Sequence, residues 1–445
     1  MRIAVLGLWH QGIVAAACLA EMGHDIVAAD PDAETVRGLS EARAPLYEPG
    51  LDELLRKGID AGRLSFSTDY AQAVGDAAFV FVMFDTPVNE RDESDLSGVF
   101  ACFEQIAPVL ARDATLLVTA QVPVGTCDAL AGILAAKAGG AGAIAYMPEN
   151  LRLGQAIERF MAPALPVLGT DDRAVFDRLL EVLGPLAARW EHVSLRTGEM
   201  IKHALNGFLG LSICFANELG NVCDAVGADG KRVGEVLRLE PRVGSKAMLL
   251  PGLGFSGGTL ARDIQTLRRL SREHGLPTPL LDGAWTSNAE QNRLVVRKLG
   301  RALGNLAAAR VAVLGLTYKA DTSTLRRSAA LEVIADLAEA GATVRAHDPR
   351  ADRGELAAYE GFRFYEDPLE AVSGADALVL MTPWASYREL DFAVVHRCMA
   401  GTYVLDTAGL WDADELTRLG FIYDEIGRGR QAGAGALAAA HGEER

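Results

Sequence analysis

Lys202 and Asn206 stand four residues apart in an apolar neighbourhood made by Ile201, Leu205, Phe208 and Leu209. On a helix that spacing puts an ammonium and a carboxamide on one face. A lone Lys–Asn pair is ordinarily a solvated helix face; the apolar neighbours argue for a buried polar pair instead. Such a pair suits one kind of chemistry. Hydride leaves a carbinol carbon only as the hydroxyl proton departs, so a cation, an amide and a base or ordered water belong around that oxygen. A hydride acceptor is implied near the start of the chain. Gly7-Leu8-Trp9-His10-Gln11-Gly12 follows a strand and opens an Ala-rich helix. It matches the dinucleotide fingerprint G-x-G-x-x-G except that Trp9 replaces the middle glycine, which lets the backbone approach a pyrophosphate. Asp30 ends the next strand, where a carboxylate accepts hydrogen bonds from a ribose and repels a 2′-phosphate, favouring NAD over NADP. The rival reading is an ordinary strand–turn–helix that holds no ligand.

The elements that must position these residues alternate. Arg2–Leu6, Asp25–Ala29, Phe79–Phe84, Thr115–Thr119 and Ile144–Tyr146 are short apolar or β-rich runs, with Ala-rich helical stretches between several of them. That pattern predicts a parallel sheet covered on both faces. Thr197–Ala225, Asp263–His274 and Leu280–Leu303 read as helices. Beyond them the first pattern returns: Arg310-Val311-Ala312-Val313-Leu314-Gly315-Leu316 echoes Arg2-Ile3-Ala4-Val5-Leu6-Gly7-Leu8, and His347-Asp348-Pro349 echoes Asp30-Pro31. The expected fold is α/β, with two Rossmann-like doubly wound parallel-sheet domains joined by a long central helix. The expected bounds are 1–193, 194–304 and 305–427, followed by a Gly-, Ala-, Arg- and Glu-rich tail, 428–445, expected to be disordered. The turn at Gly315-Leu316-Thr317-Tyr318-Lys319 lacks a full glycine set, so no second dinucleotide is assigned to it.

A net charge of −16 argues against nucleic acid or an anionic membrane surface as a partner. No apolar run is long enough to span a bilayer. The start lacks the features of a signal peptide, which places the protein in the cytoplasm. Cys18, Cys102, Cys127, Cys214, Cys223 and Cys398 are scattered without a CxxC pair, so neither disulfides nor a structural metal site are expected.

Several separated motifs, in order along nearly the whole chain, resemble those of the UDP-glucose/GDP-mannose dehydrogenases. They are Thr86-Pro87-Val88; Val122-Pro123-Val124-Gly125-Thr126; Met147-Pro148-Glu149-Asn150-Leu151-Arg152-Leu153-Gly154; Glu199-Met200-Ile201-Lys202 with Asn206; Gly254-Phe255-Ser256-Gly257-Gly258-Thr259-Leu260-Ala261-Arg262-Asp263; and Lys319 with Arg326-Arg327-Ser328. The resemblance implies oxidation of a nucleotide-activated sugar by NAD in a homodimer. Lys202 and Asn206 would hold the sugar hydroxyl and the developing oxyanion. Asp263 would position a water and support the lysine. Gly7, Trp9, Gln11, Gly12, Asp30, Thr86, Pro87 and Arg326 would meet the cofactor. Asn150, Leu151, Arg152, Phe255, Gly258 and Lys319 would meet the substrate, although Arg152 could simply hold its loop. Glu149 matches a glutamate linked to thioester hydrolysis; here it could orient the sugar, tune the lysine, pair with it, or cap a helix. Leu205, Phe208, Leu209, Ser212 and Phe215 suit either a dimer core or packing within the chain.

The departures from the family pattern are informative. Thr259 stands where the family keeps its catalytic cysteine, and a hydroxyl cannot replace a thiolate without an adjacent base. Ala120-Gln121-Val122 replaces Ser-Thr-Val, so Gln121 fills space around the water used in the aldehyde-to-acid stage. Leu405-Asp406-Thr407-Ala408-Gly409 lacks the arginine of an Asp-Gly-Arg, which puts UDP-glucose in doubt. These departures predict a dehydrogenase that oxidises one hydroxyl once, a secondary alcohol to a ketone. Ketosugars are commonly aminated next, and the resemblance to antibiotic-pathway members of the family implies a place in antibiotic-sugar biosynthesis. A four-electron enzyme making a uronate and a non-catalytic nucleotide-sugar binder are the alternatives.

Overall fold

The strands explain the architecture. Phe79–Val82 and Ala377–Leu380 are buried at every position, so both faces of each need a covering layer, the condition of a parallel sheet flanked by helices. In the computed structural model the described residues are 1–89, 93–137, 142–149, 151–256 and 258–428. Asn150, and all of the tail beyond Arg428, lie outside them. The chain divides into two compact units, Met1–Leu205 and Asn206–Arg445.

The first unit carries β1 (Arg2–Leu6), β2 (Asp25–Ala29), β3 (Leu64–Ser67), β4 (Phe79–Val82), β5 (Thr115–Val118), β6 (Ala143–Tyr146), β7 (Val167–Gly169) and β8 (Glu191–Val193). They form one sheet in the order β3-β2-β1-β4-β5-β6-β7-β8. The order reverses between β1 and β4, where doubly wound folds open a ligand crevice at the carboxyl ends of the strands. The sheet departs from the all-parallel expectation at one place, because β7 meets β6 antiparallel at Tyr146↔Gly169. β7 and β8, three residues each, left no apolar run long enough to read in the sequence.

Helix His10–Glu21, here called the cofactor helix, buries every residue from Gly12 to Ala20. Its small side chains let it lie close to the sheet. A Cβ on Gly12 would fall 1.9 Å from the Gly7 carbonyl oxygen, and Gly7 itself has φ +89°. Both glycines are therefore required by the backbone path.

The second unit repeats the topology with β9 (Arg310–Leu314), β10 (Thr343–His347), β11 (Phe362–Phe364), β12 (Ala377–Leu380), β13 (Tyr403–Asp406) and β14 (Ile422–Glu425), in the order β11-β10-β9-β12-β13-β14. Val295, Leu299, Val333 and Ile334 cover one face, and Trp384, Tyr387 and Phe392 the other. The central helix, Leu195–Val226, begins in the first unit and ends in the second. No helix among the described residues is long and apolar enough to cross a membrane.

Candidate functional site

In the first unit the candidate residues gather at the carboxyl ends of β1, β2, β4, β5 and β6. After β1, Gly7 turns the chain into the cofactor helix, whose N-cap is Trp9. The helix has no side-chain cap and no acidic residue in its first turn. Its orphan N–H groups are therefore available to an anion, as a bound pyrophosphate requires. Trp9 sits at φ −95°, ψ −168°, extended backbone open to any residue, and its side chain is 49% exposed. Asp30 closes the turn from β2, accepting from Leu8 N at 2.8 Å and from Asp32 N at 3.0 Å. Gln11 reaches across to β4, donating to the Phe84 carbonyl at 3.0 Å.

Thr86 and Gln121 come together, the Thr86 hydroxyl donating to the Gln121 carbonyl at 2.9 Å, while Pro87 is exposed. The segment after Gln121 is tied to the central helix. Buried Glu199 accepts from Gly125 N at 2.6 Å and Cys127 N at 2.7 Å, and a His203 ring nitrogen lies 2.9 Å from the Val122 carbonyl oxygen. Those bonds fix the rotation of the helix on both sides of Lys202.

Lys202 is 7% exposed, and its Nζ donates to the backbone carbonyl of Glu149 at 2.5 Å. The Glu149 carboxyl accepts from Leu151 N. Burial raises its pKa above the ordinary carboxylate range, while the nearby Lys202 charge pulls it back. Met83, Met147, Phe160 and Trp190 line a small cavity beside it, of about 50 Å³. Leu151 is half-buried and Arg152 is exposed.

In the second unit Asn206 and Asp263 meet. The Asn206 amide donates to the Asp263 carboxylate, and the two are 5% and 0% exposed. Thr259 is the exposed first residue of helix Thr259–Glu273, and Gly258 is its N-cap. The loop before it is clamped by two residues that sequence reasoning missed. Asn288 takes Phe255 N at 2.7 Å and gives an N–H to the Phe255 carbonyl at 3.2 Å; Asn292 takes Gly254 N at 3.1 Å. Their four-residue spacing on helix Pro279–Leu303 was the available signal. Lys319 and Arg326 are exposed on the segment after β9.

Comparisons with known proteins decide the family. Residues 1–186 match the UDP-glucose/GDP-mannose dehydrogenase family, NAD binding domain; residues 196–290 match its central domain and 312–413 its UDP binding domain. A UDP-glucose 6-dehydrogenase of Rhizobium meliloti is 35% identical over 96% of this chain and 100% of its own length. The enzyme of the same name from Pseudomonas aeruginosa is 33% identical, covering 99% of this chain and 100% of its own. The chain belongs to the UDP-glucose/GDP-mannose dehydrogenase family. A UDP-glucose dehydrogenase structure from Pyrobaculum islandicum superposes with a TM-score of 0.86 at 32% identity, over 96% of this chain and 97% of that one.

As a family member the chain is an NAD-dependent nucleotide-sugar dehydrogenase, an oxidoreductase acting on CH–OH groups. The first unit fits the cofactor on its own geometry: an uncapped helix start, a glycine that no other residue could replace at position 12, and a carboxylate ending β2. NAD supplies the hydride acceptor. The protein has to bind it, desolvate the reacting carbinol and hold the oxygen that loses its proton.

Five of its six cysteines are poor candidates for a covalent role. Cys18, Cys102, Cys127, Cys214 and Cys223 are buried. Burial pushes Cys18 and Cys102 up to about 12 and Cys214 up to about 11, and it raises Cys127 as well. A thiol in such a setting is protonated and weakly nucleophilic.

Proposed function

We propose that this protein removes one hydride, and only one, from a nucleotide-activated sugar, turning a secondary alcohol into a ketone. The balance is CH–OH plus NAD⁺ giving C=O, NADH and a proton. The observation that carries the reading is Thr259. It opens its helix in the slot where the family's nucleophile loop holds cysteine, and no buried thiol is poised to replace it. A ketone needs neither a thiohemiacetal nor a hydrolytic water. Lys202 holds the oxygen as its proton leaves, and Asn206, fixed by Asp263, orients it. Gln121 occupies the place of the family's water-holding threonine. Glu149, whose carboxyl is desolvated, orients the sugar. Arg326 serves the cofactor, and Leu151, Arg152, Phe255, Gly258 and Lys319 serve the substrate.

The ketone is suited to subsequent amination, which fits aminosugar formation in antibiotic biosynthesis. We place the reaction in the cytoplasm and the enzyme in a homodimer. Phe208, Phe215 and Val222 recur every seven residues on the central helix and are 65%, 55% and 57% exposed, a stripe suited to a second helix.

A second reading has its own support. The relatives at 35% and 33% identity are named UDP-glucose 6-dehydrogenases, which favours a four-electron oxidation to a uronate. The yield of NADH per nucleotide sugar consumed separates the two, measured with UDP-, GDP- and dTDP-sugars. One NADH supports the single oxidation, and two would overturn it. Thr259→Cys alone should leave the yield at one, because Gln121 also differs; substantial uronate from that variant would break the link between the two departures.

A further inference from the structure

The cofactor helix begins with a residue that faces two ways. The backbone N–H of His10 belongs to the uncapped first turn, where the dinucleotide phosphates bind. Its ring points elsewhere: Nε2 lies 3.0 Å from Oε2 of Glu48, a carboxylate 5% exposed. Glu48 holds two further donors, Gly154 N on Oε2 and Ala156 N on Oε1, each at 2.8 Å. Those two amides belong to the stretch that leads from Glu149 into helix Ala156–Met161. A single buried carboxylate therefore joins the turn that binds the cofactor to the segment beside Glu149, whose backbone carbonyl holds Lys202.

We propose that His10 and Glu48 form a positioning pair that couples dinucleotide binding to the ordering of residues 151–156. When the phosphates fix the first turn of the cofactor helix, they fix the His10 ring. The ring fixes Glu48, and Glu48 can then hold both amides. Without the dinucleotide the first turn lacks its anion, the ring is less constrained, and the two amides open more often. The coupling is a free energy shared between two sites, so it must appear as a change at one site when the other is filled. It is independent of how many hydrides leave the sugar. The plain alternative is that Glu48 only caps helix Ala156–Met161, which has no side-chain cap of its own. In that case losing the pair would loosen the segment equally with and without NAD.

Amide hydrogen exchange on the full chain separates the two, because protection reports local opening directly. In the unmodified protein, saturating NAD⁺ should slow exchange of residues 151–156 at least about tenfold. His10→Phe should still bind NAD⁺, read by tryptophan fluorescence, yet leave that stretch at its NAD-free rate. His10→Gln, which keeps an N–H donor towards Glu48, should restore most of the protection. Glu48→Gln should raise the NAD-free rate and remove the response. The proposal is overturned if NAD⁺ fails to slow exchange in the unmodified protein, or if His10→Phe is protected as well as its parent. Because no sugar is present, failure here leaves the single-oxidation reading untouched, and the converse holds.

Discussion

The two Rossmann-like halves use the same first move and end with different chemistry. After β1 and after β9 the chain passes a glycine at φ +89°, and the next residue gives its N–H to an aspartate at the end of the neighbouring strand: Leu8 to Asp30 at 2.8 Å, Leu316 to Asp348 at 2.7 Å. From there they diverge. The first half enters a helix at once, with an uncapped start. The second runs without a helix until Ala329, whose helix is already capped by the Ser328 side chain. Asp30 keeps part of its surface open, whereas Asp348, 2% exposed, is saturated. It also accepts from Thr317 N and Oγ1, Arg350 N, Ala351 N and the Trp384 indole. The comparison teaches that a dinucleotide site is made by what is left unsatisfied after the turn, since the turn itself is shared.

The sharpest way to break this comparison is to put a methyl group into each turn. Gly12→Ala would drive a Cβ to 1.9 Å from the Gly7 carbonyl oxygen, a backbone atom that cannot step aside. We expect the NAD⁺ dissociation constant to rise by about 100-fold or more, equivalent to about 2.7 kcal/mol, read by NADH fluorescence titration. Gly315→Ala would place a Cβ 2.5 Å from Thr382 N in a positive-φ position. It should cost stability by about 1–3 kcal/mol, seen as a lower urea midpoint, and leave the NAD⁺ titration unchanged. A loss of NAD⁺ affinity in Gly315→Ala would mean the second turn serves the cofactor after all.

The two aspartates offer a milder version of the same test. Asp348→Asn removes one acceptor oxygen from a buried, fully used carboxylate, so a loss of about 3 kcal/mol in unfolding free energy is expected. Asp30→Asn should cost under about 1 kcal/mol of stability. It should weaken NAD⁺ about tenfold and narrow the preference over NADP⁺, because the repulsion towards a 2′-phosphate goes with the charge. Equal stability losses at the two positions would contradict the assignment of one as ligand-facing and the other as structural.

Which of these features the sequence disclosed follows from their physical range. Strand alternation and the echo of Arg2–Leu8 in Arg310–Leu316 are local patterns, and both were legible as two α/β halves. The four-residue step from Lys202 to Asn206 is local too, and both side chains are buried on the central helix. What escaped depends on residues far apart in the chain. Glu48 meets His10 across 38 positions and Ala156 across 108. Trp384 saturates Asp348 from 36 positions away. Neither pairing has a spacing that a helix or strand period would reveal.

Trp9 gives the smallest expected effect and tests the idea that unsatisfied donors, more than the glycine set, make the first turn a cofactor site. Its backbone lies at φ −95°, where glycine has no conformational advantage, and its indole is about half exposed. Trp9→Gly should therefore change the NAD⁺ dissociation constant by less than about threefold, below about 0.7 kcal/mol. Its far-UV spectrum should be unchanged. Tightening by tenfold or more would show that the indole had been crowding the phosphates, and the fingerprint glycine would regain its importance. A matching loss of affinity would instead make the indole a surface on which the cofactor rests. Either large result would shift the explanation from the open N–H groups of the helix to the side chain beside them.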